Sequence, residues 1–287
     1  MPPSLSLIIA VYNKPEILSF VLVACARQSI KNFEVLVADD GSAPGVQQVI
    51  DQYRRTAGIP LTHIFHDDQG WRKNTILNSA IRASGSDYLV FIDGDCIPSR
   101  CFMEDHWRER EEHTVLLGRR VETSKRWSAS LTVEAIASGN FERLDWGVCM
   151  DGLRGDALRI EDGIRMPGAL LRKILLRNVR GMLGSNFSVA KSDLVAINGF
   201  DEAYDGPGCG EDSDVQYRLS LTGVRGKSIR NIAIQFHVNH PLTRGSDACW
   251  ERFERVKRTG QPRCRMGLEH LDGPDTTAKG SEVLTSL

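Results

Sequence analysis

Four apolar runs separated by three helical stretches fill the first third of this chain, and that alternation leaves few ways to fold it. Leu5–Ala10 is an apolar run broken only by Ser6, the pattern of a strand buried on both faces of a parallel sheet. Pro15 opens a helical stretch through Gln28, with Ile17, Val21, Ala24 and Cys25 on one stripe. Phe33–Ala38, Leu61–Phe65 and Tyr88–Ile92 read as further strands, with Val46–Ala57 and Trp71–Ser84 as the helices between them. Strands alternating with helices imply βαβ units with right-handed crossovers. The expected fold class is α/β, with a mostly parallel central sheet flanked by helices.

In such a sheet the strands of one sense end along a single edge, which is where open α/β sheets bind ligands. Three polar clusters stand just beyond strands: Tyr12-Asn13, Asp39-Asp40-Gly41-Ser42 and Asp93-Gly94-Asp95. A fourth group, Gly70-Trp71-Arg72-Lys73, begins a helix, and helix-start N–H groups with Arg and Lys make an anion site. The Asp93-Gly94-Asp95 run sets two carboxylates one residue apart. Such a pair can hold a divalent cation through hard oxygen ligands, and the cation can hold a diphosphate. Asp-Gly is also common turn chemistry, so the pair takes its meaning from its setting.

Beyond Pro98 the pattern loosens. Cys101–Glu112 reads as helix and Val115–Val121 as one extended segment, while 124–182 shows no clear period. Asn186–Ala190 reads as strand, Lys191–Asn198 and Glu211–Leu221 as helices, and Ser228–Val238 as a strand. The tail Asp272–Leu287, rich in Gly, Thr, Ser and Lys, has the composition of a mobile end. The expected partition is a first half (1–118), a second half of the same domain (119–245), and a C-terminal helix and tail (246–287).

Lys and Arg number 36 against 37 Asp and Glu, so no global basic field attracts nucleic acid. Seven scattered cysteines with no Cys-x-x-Cys suggest reduced thiols in the cytoplasm. No run approaches the ~20 apolar residues that span a bilayer. Leu170–Arg180 sets apolar residues 171, 174, 175 and 179 among Arg172, Lys173, Arg177 and Arg180. That is the composition of a helix lying at the inner face of an anionic membrane, or of an amphipathic helix packed on the sheet, the commoner arrangement.

An ordered series of motifs runs through the chain: Ser6-Leu7-Ile8-Ile9-Ala10-Val11-Tyr12-Asn13-Lys14, Val37–Ser42, Asp93-Gly94-Asp95, Gly184–Val189, Asn198–Glu202, and Gly210-Glu211-Asp212-Ser213-Asp214 with Tyr217-Arg218-Leu219. Over residues 4–245 it resembles the family 2 glycosyltransferases of the GT-A (nucleotide-diphospho-sugar transferase) fold. The segment Gly199–Leu219 also resembles the acceptor-side motif of galactosyl- and N-acetylgalactosaminyltransferases. The resemblance implies that Ala10 and Tyr12 line the nucleotide base and that Asp40 accepts a hydrogen bond from uracil. Asn13 and Gly94 belong to the same nucleotide-sugar side, Arg72 faces the diphosphate, and Asp93 and Asp95 hold the ribose and the metal. Asp212 acts as base on the acceptor hydroxyl, and Glu211 places the acceptor. A late histidine completes the metal site; His237 is the candidate and His240 its rival.

These roles suit the chemistry. Mn²⁺ or Mg²⁺ stabilises a departing diphosphate, and a mixed Asp/His site favours Mn²⁺ over Ca²⁺. A carboxylate within hydrogen-bond reach activates a poor hydroxyl nucleophile; attack opposite the leaving group predicts inversion. Plainer readings stand beside these. Acids at the start of Glu211–Leu221 suit the helix dipole, His237 could be a satisfied strand-end residue, Tyr12 could be packing, and Trp71 could stack on sugar or only cover the core. Gly206-Pro207-Gly208-Cys209-Gly210 lacks the Trp that several relatives carry before the Glu-Asp pair, and Ile76-Leu77-Asn78 stands where many have Ala-Arg-Asn. No Gln-x-x-Arg-Trp motif of processive synthases follows. The expectation is a cytoplasmic, metal-dependent, inverting transferase adding one sugar, from a UDP donor, to a glycan or lipid-linked acceptor in surface polysaccharide or lipopolysaccharide assembly. The alternatives are a nucleotidyltransferase, whose Gly-rich phosphate loop is missing from Leu5–Lys14, and a non-catalytic sugar-binding module.

Overall fold

A computed structural model describes residues 4–56, 58–166, 181–208, 210–240 and 247–270. Strands β1 (Leu5–Val11), β2 (Phe33–Asp39), β3 (Leu61–Phe65) and β4 (Tyr88–Asp93) alternate with helices α1 (Pro15–Ala26), α2 (Gly45–Thr56) and α3 (Lys73–Ala83). β1 pairs in parallel with both β2 and β4, setting Ala10 beside Ala38 on one side and Asp93 on the other. Side chains alternate across β1, as strand geometry requires. Leu5, Leu7, Ile9 and Val11 enter one core with Leu18, Val21 and Ile50 from α1 and α2. Ile8 and Ala10 enter the other with Ile76 and Leu77 of α3.

The second half completes the sheet. Short strand β5 (Cys96–Pro98) and helix α4 (Phe102–Glu109) lead to β6 (Thr114–Leu117) and β7 (Val121–Glu122); later come β8 (Phe187–Ala190), β9 (Arg225–Ser228) and β10 (Gln235–His237). The seven-stranded order is β3-β2-β1-β4-β8-β6-β9. Only β8 runs against its neighbours, being antiparallel to β4 and β6, so the sheet is mostly parallel. Phe91 and Phe187 stack across the β4–β8 pairing with centroids 4.5 Å apart.

Two expected strands are each divided. Val115–Val121 breaks at Gly118, where a Cβ would meet the Asn186 side chain at 2.1 Å. Asn186 crosses there because its Nδ2 donates to the Arg119 and Ala233 carbonyls at 2.7 and 3.1 Å. Ser228–Val238 turns at Asn231, which adopts φ 63° and donates to the Glu161 and Ile164 carbonyls. Both breaks release strands into a second sheet, ordered β5-β10-β7. The region without a clear period forms short helices at Lys125–Ala129, Val133–Ser138 and Trp146–Arg154, capped by Ser124, Thr132 and Asp145. Helices of five to nine residues are too short to show a period of 3.6.

Among the described residues no helix is long and apolar enough to cross a membrane. The segment Leu170–Arg180 and the tail Asp272–Leu287 lie outside the described residues.

Candidate active site

The carboxyl ends of β1, β2 and β4 open onto a cleft of about 530 Å³. Ala10, Tyr12, Asn13, Asp40, Asp93, Gly94 and Asp95 all stand on its wall, joined by Lys14, Trp71 and Lys73, and by Pro207 and His240 from the second half. Gly94 is needed where it is: its N–H donates to the Ala10 carbonyl at 2.7 Å, and a Cβ would press on that oxygen and on Val11. Asn13 knits two loops together. Its N–H donates to Ser42 Oγ at 2.7 Å, and its Oδ1 accepts from the Ala43 N–H at 3.0 Å. Tyr12 is exposed and its hydroxyl donates to Asp68 at 3.0 Å, so it is no core residue.

Asp40 keeps both oxygens engaged, one 2.7 Å from His66 Nε2 and the other accepting the Arg72 backbone N–H at 3.0 Å. Burial pushes its carboxyl up, and those two partners only partly offset the push. The guanidinium of Arg72 turns away to Gln69 Oε1 at 2.7 Å. Lys73, the first residue of α3, occupies the cleft instead, with Nζ 2.6 Å from Asp93 Oδ1. Burial alone would lower its ammonium, but Asp93 and Asp212 outweigh that and hold it above its ordinary range.

The second sheet delivers the late histidine. β10 lies between β5 and β7, so His237 stands opposite Cys96 in one register and Glu122 in the other. Beside Cys96 is Asp95. Ligand atoms of Asp95, His237 and His240 all lie within 4.8 Å of one another. His240 Nε2 is 2.9 Å from Asp95 Oδ2, His237 Nε2 is 3.6 Å from Oδ1, and the two imidazole nitrogens are 3.1 Å apart. At that separation one nitrogen must present a lone pair, because two N–H groups would repel. Two imidazoles and a carboxylate aimed at one point make a donor set suited to a transition-metal cation. His237 and His240 both stand within reach of Asp95.

Burial disfavours the Asp95 carboxylate, but His240, His237 and Lys14 outweigh it and hold the group far below the usual range. Behind His237, its Nδ1 lies 2.6 Å from Glu122 Oε2. Despite burial, His237 and Arg120 lower Glu122 to about 2, so it stays ionised and fixes which ring nitrogen faces Asp95. Glu122 and Arg120 are functional candidates that sequence reasoning missed. The approach of β7 to β10 reveals them, and no local pattern encodes it.

Asp212 sits in the first turn of the helix Glu211–Leu221. Its Oδ2 accepts the Gly184 N–H at 2.7 Å, and a Cβ on Gly184 would lie 2.3 Å from Oδ1. Only glycine lets that loop close over the carboxylate. Burial first, and then the neighbouring Glu211 charge, raise Asp212 to about 6, with Lys73 pulling the other way. Glu211 is buried, and its Oε1 accepts from the Gly208 N–H at 3.3 Å. Trp71 packs against Tyr204 while lining the cleft, so it both covers core and faces the opening.

The chain is similar to several known proteins. The family model described as glycosyl transferase family 2 matches residues 6–162. A second, described as the N-terminal domain of galactosyltransferase, matches 176–241. Chondroitin synthase of Escherichia coli is 24% identical over 83% of this chain and 35% of its own length. Hyaluronan synthase of Pasteurella multocida is 24% identical over 83% of this chain and 25% of its own. The chain thus spans about a quarter to a third of these synthases. Validoxylamine A glucosyltransferase of Streptomyces hygroscopicus is 26% identical over 77% of this chain and 52% of its own length. Among solved structures, S. aureus TarS 1-349 in complex with UDP superposes with a TM-score of 0.60 at 16% identity, covering 93% of this chain and 68% of that one. A mannosyltransferase of Pyrobaculum calidifontis, in complex with GDP-Man and Mn²⁺, superposes with a TM-score of 0.54 at 17% identity, covering 91% and 63%.

Proposed function

Because the chain belongs to glycosyl transferase family 2 and has the GT-A fold, we propose that it transfers a single sugar from a UDP-linked donor to a hydroxyl of a glycan or lipid-linked acceptor, with inversion, in surface polysaccharide or lipopolysaccharide assembly. The observation that carries this reading is Asp212: a recessed carboxylate raised to about 6, tied by a backbone N–H and facing the same lysine that holds Asp93. It can take the proton of the acceptor hydroxyl as that oxygen attacks the anomeric carbon and the bond to the diphosphate breaks. Its raised pKa suits proton transfer near neutral pH. One displacement with one base inverts the centre. Lys14 and Lys73 bring positive charge to the rim where the diphosphate gains negative charge. Asp95, His237 and His240 would hold Mn²⁺ or Mg²⁺, which when bound neutralises the leaving group as a Lewis acid. Asp40, fixed by His66 and the Arg72 N–H, sets a carboxyl acceptor beside the base pocket, which supports a uracil partner. The missing Gln-x-x-Arg-Trp motif supports one addition rather than processive synthesis.

A panel of UDP-, GDP- and dTDP-sugars with Mn²⁺, read by nucleotide release, tests the donor. Turnover of GDP- or dTDP-sugars without UDP-sugars would overturn the UDP assignment. Asp212→Asn should lose about 10²- to 10⁴-fold in turnover, the usual contribution of a general base, while keeping nucleotide affinity. Unchanged turnover removes Asp212 from the mechanism.

A further inference from the structure

A second cavity, of about 290 Å³, is bounded by the helix Asp247–Thr259, the loop after it, and Asp201 and Arg218. Arg218, Arg252, Arg255, Arg263 and Arg265 line it, with Asp201 as the one carboxylate among the described lining residues. Arg252, Arg255 and Thr259 recur at i, i+3 and i+7, so they share a helix face. Arg218 is 4% exposed and fixed: its Nε donates to Asp214 at 2.8 Å and its NH1 to the Gln261 carbonyl at 2.9 Å. Asp201 Oδ2 stands 3.6 Å from Arg218 and 3.7 Å from Arg252, divided between two guanidiniums. Arg263 meets Glu269 at 3.3 Å, but both side chains are exposed and such a pair contributes little. Five guanidiniums thus converge on one concave wall, which concentrates their field.

A series of side-chain contacts links the wall of this cavity to the wall of the first cleft. Trp71, on the cleft wall, packs on Tyr204, and the Arg252 guanidinium lies 5.8 Å from the Tyr204 ring centre. The helix Glu211–Leu221 carries Asp212 at its start and Arg218 about 9 Å further along its axis.

We propose that this cavity is a second binding site, taking an oxyanion of the phosphate or carboxylate class. Guanidiniums are the side chains best matched to such groups, through paired N–H donors. The anion is either a charged group on the acceptor itself or a free phosphate; only the first assignment rests on the transferase reading above.

The test is titration of inorganic phosphate into the full chain at fixed ionic strength, read by calorimetry. Saturable binding is expected. It should weaken about tenfold in Arg252→Gln/Arg255→Gln, the scale of one lost charged hydrogen bond, and should survive Asp40→Asn in the first cleft. Melting curves check that the double variant folds. Arg255→Gln alone, at an exposed position, serves if it does not, with a several-fold loss expected. No saturable binding in the wild type, or binding equal in wild type and folded arginine variants, overturns the proposal. The transferase reading is tested separately, by nucleotide release with donor and acceptor both present: its absence from the wild type would sink that reading and leave phosphate binding standing. Phosphate that competes with the acceptor assigns the site to an acceptor anion; phosphate that alters turnover without competing assigns it to the free ion.

Discussion

Asp212 should set the acid limb of the pH–rate profile, with a midpoint of about 6 instead of the ordinary carboxylate value near 4. A base with that midpoint is about nine-tenths ionised at pH 7 and about one-tenth at pH 5, so turnover should fall roughly tenfold between them. Glu211→Gln removes the charge that, after burial, does most to raise Asp212. Its midpoint should drop, though burial keeps it above the ordinary value. A drop of one unit, about 1.4 kcal/mol, would leave about half of the carboxyl ionised at pH 5. Relative to its own plateau, the variant should then run about five times faster than wild type at pH 5, even if its plateau falls because the acceptor is less well placed. The assay is initial-rate nucleotide release from pH 4.5 to 8.5 at constant ionic strength, with donor and acceptor saturating. Metal must also saturate at each pH, because protonated imidazoles lose their ligand capacity. A wild-type midpoint near 4, or one that Glu211→Gln leaves in place, would refute the argument.

Asp212 also costs stability. A carboxyl raised in the folded state contributes stability that is complete below its unfolded value near 4 and lost as pH rises through about 6, so Asp212→Asn should exceed wild type by up to about 3 kcal/mol at pH 7.5 and match it at pH 3.5; denaturant melts that differ equally at both pH values would contradict this. His237→Gln, His240→Gln and Asp95→Asn should each weaken Mn²⁺ binding at least about tenfold by calorimetry, and unchanged affinity in His240→Gln would remove it from the donor set. Glu122→Gln should lower Mn²⁺ affinity about 10- to 100-fold with nucleotide affinity in the absence of metal unaltered; a variant with native Mn²⁺ affinity would show that the 2.6 Å contact does not orient His237.

What could be read from the chain in advance depended on how far apart the cooperating residues lie. β1 to β4 are legible because each is a local apolar run, and their parallel pairing then forces Ala10, Asp40, Asp93 and Asp95 onto one edge. Of the pair Arg72-Lys73, the resemblance points to Arg72 for the diphosphate, whereas Lys73 lines the cleft. Which of them enters the cleft is decided by α3 beginning at Lys73, and helix starts are uncertain by a residue or two from pattern alone. Glu122 was beyond reach, since its role follows from β10 sliding between β5 and β7 after two breaks, one at Gly118 where Asn186 needs room and one at Asn231 where φ turns positive. Those breaks look like interruptions of good strands, yet without them His237 would extend a longer strand of the main sheet and never reach Asp95. The geometry of the candidate metal site therefore depends on local strand propensity being overridden at two residues, each satisfied by side-chain amide hydrogen bonds to backbone carbonyls far away in sequence.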